Sequence, residues 1–392
     1  MSKIFFVATD EEIKKGKTTD IYFERTVEIL TRKKISKSVV AEVTCGGIPN
    51  KWPWGILLGT EEVAHLFEGI PVTVYSLREG TFFRAKDEKG VRTPVMFIEG
   101  DYVDFCVYET PLLGFVCQAS GIATAAARVK KVAGDKTVLS FGARRMHPVI
   151  TPMISRACYI AGFDGVSAVI SAEMLNIPPT GTMPHALVIV MQDHKKAWQA
   201  FDEVVDRTVK RVALCDTYLD EKSETLMASE AVKDLFGVRL DTPGSRRGNF
   251  KEIIQEVRWE LDLRGYKNVK IFVSGGLTEE TIQELHPFVD GFGVGTFVSN
   301  GRTIDFSMDI VEMEGEPVAK RGKFSGKKQI YRCPDCLKDI IVPWNSVVPK
   351  CHGEMKPLLH LLVENGKIVQ KFLDATKTRE FILEQVKRLD LW

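Results

Sequence analysis

The stretch VKIFVSGGLTEETIQELHPFVDGFGVGTF, residues 269–297, decides the fold. Its first run is β-branched and aromatic and stops at Ser274-Gly275-Gly276. Thr278 then opens a helix-like segment, and a second short run, VDGFGVG (289–295), again ends in glycine. A strand, a helix and a second strand, with glycine at each strand end, is the repeating unit of a parallel sheet or barrel.

The same rhythm extends toward the N-terminus. CQASGIATAAARVKKVAG, starting at Cys117, is alanine-rich and ends at glycine, as helices do. Short runs follow at KTVLSFG (136–142), GVSAV (165–169), PTGTM (179–183), VALCD (212–216) and GVRLD (237–241). Helix-like KKAWQAFDEVVDRTV and GNFKEIIQEVRWELDLRG lie between them. The predicted fold is α/β: seven parallel strands forming an incomplete TIM-like α/β barrel. A doubly wound open sheet competes, but no Gly-x-Gly-x-x-Gly follows the first strand. Upstream, TPVMFIEGDYVDFCVYETPLLGFV reads as strand, turn, strand, within an N-terminal α+β region.

The 392 residues exceed one ordinary core, so two or three domains are expected. The expected boundaries are an N-terminal domain over 1–116, a barrel over 117–300, a return segment and linker over 301–329 and a C-terminal module over 330–392. With 44% hydrophobic and 27% charged residues and a formal charge of +1, the chain has no overall field to attract nucleic acid or an anionic membrane. The first residues lack the apolar run and cleavage site of a signal peptide, and no segment reads as a membrane span. A cytoplasmic location is expected by default. Five cysteines, Cys45, Cys106, Cys117, Cys158 and Cys215, are scattered through apolar or mixed segments and read as buried free thiols.

In a barrel the chemistry gathers at the C-terminal strand ends. Those ends carry Phe141 with Arg144, then Ser167, His185, Asp216, Asp241, Ser274-Gly275-Gly276 and Gly293 to Thr296. Core packing would place apolar residues there; this set is mostly polar, charged or glycine. Gly275, Gly276, Gly295 and Thr296 suit a phosphate, because glycine permits close backbone approach and the backbone N–H groups donate. Asp216 and Asp241 can accept from ribose hydroxyls or hold Mg²⁺ through water, or else cap helices. Arg239 points to the same side as Asp241 and needs an anion there. Arg246 and Arg247 can meet a pyrophosphate or remain solvated. Phe141 can stack on a flat ring, and Arg144 can grip a carboxylate or phosphate. In GTMPHA (181–186), His185 falls at the end of the PTGTM strand, unless the following ALVIV is itself a strand.

SGIATAAAR, FGARRMHP, GVSAV, GTMPHA, CDTY, VRLDTPG, VSGG and GVGT occur in this order, and their combination resembles nicotinate phosphoribosyltransferase, of the type II phosphoribosyltransferase group. The resemblance implies an N-terminal α/β sandwich on an incomplete barrel, and a homodimer with shared active sites. It implies transfer of phosphoribose from 5-phosphoribosyl-1-pyrophosphate (PRPP) to nicotinate, giving nicotinate mononucleotide and pyrophosphate in NAD salvage. It also implies a histidine, here His185, that takes a phosphoryl group from ATP. Asp20 and Tyr22, in GKTTDIYFERT, match an Asp-x-Tyr that reaches the neighbouring subunit's site, where the Tyr stacks on the pyridine. The nicotinamide enzyme carries an Asp where this chain has Ser167, which favours the anionic nicotinate. Quinolinate ranks second. The non-enzyme alternative is a protein that binds a phosphorylated ligand and docks a partner.

YRCPDCLKDIIVPWNSVVPKCHGEM places Cys333-x-x-Cys336 ahead of Cys351-His352, the pattern of a small structural Zn²⁺ knuckle. Its fourth ligand is open between His352 and Glu354. The preceding basic run KRGKFSGKKQIYR can face nucleic acid, but a solvated linker is the simpler reading.

Overall fold

The computed structural model describes residues 4–246 and 248–391. The chain divides into two compact units, 1–124 with 302–392, and 125–301.

The second unit is built on six strands, all parallel, in the order Gly165–Val166, Thr137–Ser140, Gly291–Val294, Lys270–Ser274, Gly237–Leu240, Val212–Leu214. This is the mixed α/β architecture of an incomplete barrel. Val138, Leu214, Val238, Leu240, Ile271, Val273, Phe292 and Val294 are fully buried. Each such side chain stabilises the sheet by about 1.5–3 kcal/mol. The helix Phe250–Leu263 shows how the connections form: the Asn249 side chain accepts from Glu252 N, and Phe250, Ile254, Val257 and Leu261 make one buried stripe. Inside this unit Arg128 and Glu279 form a bidentate pair, Nε to Oε2 at 2.9 Å and Nη2 to Oε1 at 2.7 Å, closed off from solvent.

PTGTM is not a strand, so the sheet has six strands rather than seven. Thr180 N donates to Val166 O, but no ladder follows. Pro178, Pro179 and Pro184 each lack the N–H a strand interior needs, and the run ends where Pro184 stands as N-cap of the helix His185–Met191. ALVIV is thus helical.

The first unit contains a seven-stranded antiparallel sheet, ordered Glu316–Pro317, Phe306–Met313, Ser38–Cys45, Pro94–Asp101, Thr73–Leu77, Leu359–Glu364, Lys367–Ile368. Its core includes Val43, Phe67, Phe97, Ile98, Val311 and Val363. A smaller three-stranded sheet joins Lys328–Arg332, Asp339–Pro343 and Lys356–Pro357. The expected second strand after Pro94–Asp101 is instead helical, because Asp101 accepts from Val103 N and starts the turn. Tyr102–Ala133 is, by length and composition, apolar enough to cross a membrane, against the sequence expectation; 72% of its apolar window is buried in protein, as in a core helix.

Candidate functional site

The C-terminal ends of the parallel strands open into a cavity of about 580 Å³. Phe141, Arg144, Ser167, His185, Arg239, Asp241, Ser274, Gly275, Gly276, Gly295 and Thr296 all line it. Residues 155 positions apart in the chain are thus gathered on one rim, as the strand-end argument requires.

Glycine shapes the floor. Gly275 and Gly276 both have left-handed backbones, φ +89° and +66°, and a Cβ on Gly275 would lie 3.0 Å from the Asp241 carbonyl oxygen. Gly293 leaves room for Phe141, whose ring a Cβ there would meet at 2.4 Å. The Arg239 guanidinium lies 5.8 Å from the centre of that ring. A second cavity of about 460 Å³ shares Phe141, Gly181, Thr182, Arg239 and Gly293 with the first, so Phe141 and Arg239 stand where the two meet.

The two aspartates occupy equivalent strand ends and differ. Asp216 is almost wholly buried; its Oδ2 accepts from Asp241 N at 2.7 Å and from Thr242 Oγ1 at 3.1 Å, and its Oδ1 has no hydrogen-bond partner among the described residues. Burial pushes its carboxyl up, against the pull of His185. Asp241 is more open, and its Oδ1 accepts from Ser274 Oγ at 2.6 Å. Burial would raise its carboxyl too, but His185, Ser274 and Arg239 outweigh that and hold it below the usual range. Neither is a helix cap; Asp220 and Asn249 cap the helices that follow.

His185 begins its helix at the cavity wall. Its Nε2 lies 3.8 Å from Asp216 Oδ1 and 3.7 Å from Asp241 Oδ2, distances of charge pairs rather than hydrogen bonds. Its Nδ1 is 3.0 Å from Thr217 Oγ1. The adjoining Asp241, helped by Asp216 and opposed by burial and Arg239, raises the imidazole above its ordinary value. Arg239 is largely buried; Nη2 donates to Met183 O at 3.4 Å and lies 4.0 Å from Asp241 Oδ2, while its Nε has no hydrogen-bond partner among the described residues. Burial lowers it, offset by Asp241 and Asp216.

Asp20 and Tyr22 belong to the first unit. Asp20 sits at the N-cap of Ile21–Arg32 without making a cap bond; its Oδ2 accepts from Thr110 Oγ1 at 2.9 Å. Tyr22 is half-exposed, its ring 4.4 Å from Phe23. Arg246 is exposed in a turn, and Arg247 lies outside the described residues. Sequence reasoning missed Thr217, Thr242 and Glu224. Thr217 adjoins Asp216 in CDTY, but which neighbour its hydroxyl meets depends on the turn.

Cys333, Cys336 and Cys351 bring their sulfurs within 4.8 Å of one another, with Cys336 and Cys351 at 3.6 Å. His352 Nδ1 lies 3.7 Å from Cys351 Sγ but is not within that mutual range of all three thiols. The other five cysteines are free thiols, four of them buried.

Family models described as quinolinate phosphoribosyl transferase match both parts of the chain, the N-terminal domain over residues 20–120 and the C-terminal domain over 122–309. A crystal structure of nicotinate-nucleotide pyrophosphorylase from Pyrococcus furiosus is similar over 99% of both chains, with 55% identity and a TM-score of 0.95. A nicotinate phosphoribosyltransferase of Mycobacterium tuberculosis is 30% identical over 84% of this chain and 72% of its own length. One of Bacillus subtilis is 35% identical over 57% of this chain, and the match spans 44% of that relative. Human nicotinic acid phosphoribosyltransferase shares the fold, with 18% identity and a TM-score of 0.73. The chain belongs to the nicotinate phosphoribosyltransferase family.

Proposed function

We propose that this protein joins nicotinate to PRPP, releasing pyrophosphate and forming nicotinate mononucleotide for NAD synthesis. The observation that carries the reading is Arg239: a largely buried cation on the cavity wall, beside the Phe141 ring, with its Nε unpartnered among the described residues. A buried donor left open is costly unless a ligand fills it. The nicotinate carboxylate is such a ligand, with its ring against Phe141. Neutral Ser167 leaves the carboxylate unopposed.

In the reaction the pyridine nitrogen forms a bond to C1 of the ribose as the bond from C1 to the pyrophosphate oxygen breaks. Gly275, Gly276, Gly295 and Thr296 offer backbone groups to the 5′-phosphate. Asp241 and Asp216 would take the ribose hydroxyls and the water shell of Mg²⁺; the Asp216 Oδ1, which has no hydrogen-bond partner among the described residues, and the hard oxygen donors suit that ion. When bound, Mg²⁺ offsets pyrophosphate charge. Arg144, exposed on the rim, meets the pyrophosphate. Asp20 and Tyr22 complete the site of a second copy in a homodimer.

His185 accepts the γ-phosphoryl group of ATP: an N–P bond forms as the bond to ADP breaks. The accepting nitrogen must first lose its proton, which the neighbouring carboxylates hold in place. Replacing His185 with Ala should abolish ATP stimulation and leave slow ATP-independent turnover. Stimulation that survives would remove His185 from this role.

Cys333, Cys336 and Cys351 would hold a structural zinc ion, which would staple the surrounding strands together. A tetrahedral zinc with bonds of about 2.3 Å sets its sulfurs about 3.8 Å apart, close to the 3.6 Å between Cys336 and Cys351. His352 is the nearest candidate for the fourth position. Metal analysis should find about one zinc per chain, and Cys333→Ser should lose it. Equal zinc in both proteins would rule the knuckle out.

The test of the reaction itself is turnover of PRPP with nicotinate, nicotinamide and quinolinate in parallel, with and without ATP. A preference for either other pyridine would reject the nicotinate reading.

A further inference from the structure

We propose that Thr217 is a positioning residue for His185, and that Glu224 is the buried anchor holding Thr217 in place. This rests on the reading that His185 works in the cavity, but it can be tested without turnover.

After the strand Val212–Leu214 the chain turns through Asp216 and Thr217 before the helix Glu221–Ala231. Three consecutive backbone N–H groups in that turn donate to one carboxylate: Thr217 N to Glu224 Oε2 at 3.0 Å, and Tyr218 N and Leu219 N to Glu224 Oε1 at 2.6 and 2.8 Å. Glu224 is fully buried. A carboxylate in that setting persists only when its lone pairs are filled, and charge-assisted bonds of this kind are stronger than neutral ones. The turn is therefore fixed by a group that never reaches the cavity.

That fixed turn sets the Thr217 hydroxyl 3.0 Å from His185 Nδ1. The imidazole then has one edge settled: with Nδ1 hydrogen-bonded to Thr217 Oγ1, Nε2 is the nitrogen turned to the cavity side. The charged groups around the ring are Asp216, Asp241 and Arg239. The first two straddle Nε2 at 3.8 and 3.7 Å. Without Thr217 the ring is free to turn about its χ2 bond and present Nδ1 to the carboxylates instead. A hydrogen bond to one ring nitrogen selects the tautomer of the other. The same logic in metal sites makes loss of such an outer partner cost about 10–100-fold.

The experiment uses the full chain labelled with ¹⁵N-histidine. His185→Asn identifies the His185 ring signals, which are then recorded with the ring neutral in the unmodified protein, Thr217→Val and Thr217→Ser. The unmodified protein should show one fixed tautomer in the neutral ring. Thr217→Val should lose that preference, and Thr217→Ser should restore it. If nicotinate is turned over, Thr217→Val should lower kcat about tenfold with KM for nicotinate little changed. Glu224→Gln should shift the ring signals in the same direction; should it fail to fold, the Thr217 pair decides alone. His185 signals unchanged in Thr217→Val would overturn the positioning role. Changed signals in a protein that turns over no pyridine would keep that role and reject the proposed reaction.

Discussion

Two arginine–carboxylate pairs lie in the same unit and have opposite characters. Arg128 and Glu279 meet in two bonds of 2.9 and 2.7 Å, with solvent excluded. Arg239 and Asp241 stay 4.0 Å apart on the wall of a cavity, and Arg239 keeps a donor unfilled among the described residues. The first pair satisfies itself, so its energy is spent within the fold. The second leaves a donor unfilled, and in the proposed function the nicotinate carboxylate fills it. Burial alone does not separate the two pairs; the unfilled donor of Arg239 does.

The contrast can be broken from either side. Arg128→Met leaves Glu279 buried and unpaired and should lower stability by about 3–5 kcal/mol, read from the denaturant midpoint. A loss below about 1 kcal/mol would show that the closed pair matters little. Arg239→Ala should instead leave the midpoint within about 1 kcal/mol and cut kcat/KM for nicotinate by about 10²–10³-fold, the scale for removing one positioned donor. Ser167→Asp, which sets a negative charge in the same cavity, should lower kcat/KM for nicotinate about tenfold and spare nicotinamide.

The smallest effect concerns pH. His185 is raised in the folded protein by Asp241 and Asp216. A raised folded value means that its charged form adds stability, fully present below the ordinary value of about 6.5 and lost as pH rises through the folded value. His185→Ala should therefore cost more stability at pH 5.5 than at pH 9, a modest difference because the ring is partly open to solvent. ATP stimulation should run the other way, weakening as pH falls through the raised value and the accepting nitrogen becomes protonated. An equal cost at both pH values would contradict the charge pairing.

Much of this site was legible before folding. Strand periodicity and the glycines after Ser274 and Val294 mark where strands stop, and Asp241, Ser274 and Thr296 at those stops line the cavity, whereas the strand-end Asp216 does not and His185 reaches it from a helix start. Local signals failed where tertiary contacts decide. PTGTM has strand-like residues, yet Pro179, the flanking Pro178 and Pro184 and a single bond to Val166 leave it irregular. Tyr102–Ala133 begins with aromatic and β-branched residues that favour strands, but Asp101 starts a helix and burial sustains it. Glu224 reads as an ordinary helical carboxylate, because nothing in the sequence reveals that three N–H groups converge on it. The Cys333-x-x-Cys336 spacing, by contrast, is short enough that the sequence alone places those sulfurs together.

The most direct test of the central claim compares unmodified protein and Arg239→Ala in one assay, with PRPP, ATP and equal nicotinate, nicotinamide and quinolinate. The unmodified protein should convert nicotinate far faster than the other two, and Arg239→Ala should lose this preference while remaining folded. A preference for nicotinamide or quinolinate, or an undiminished nicotinate preference in Arg239→Ala, would contradict it.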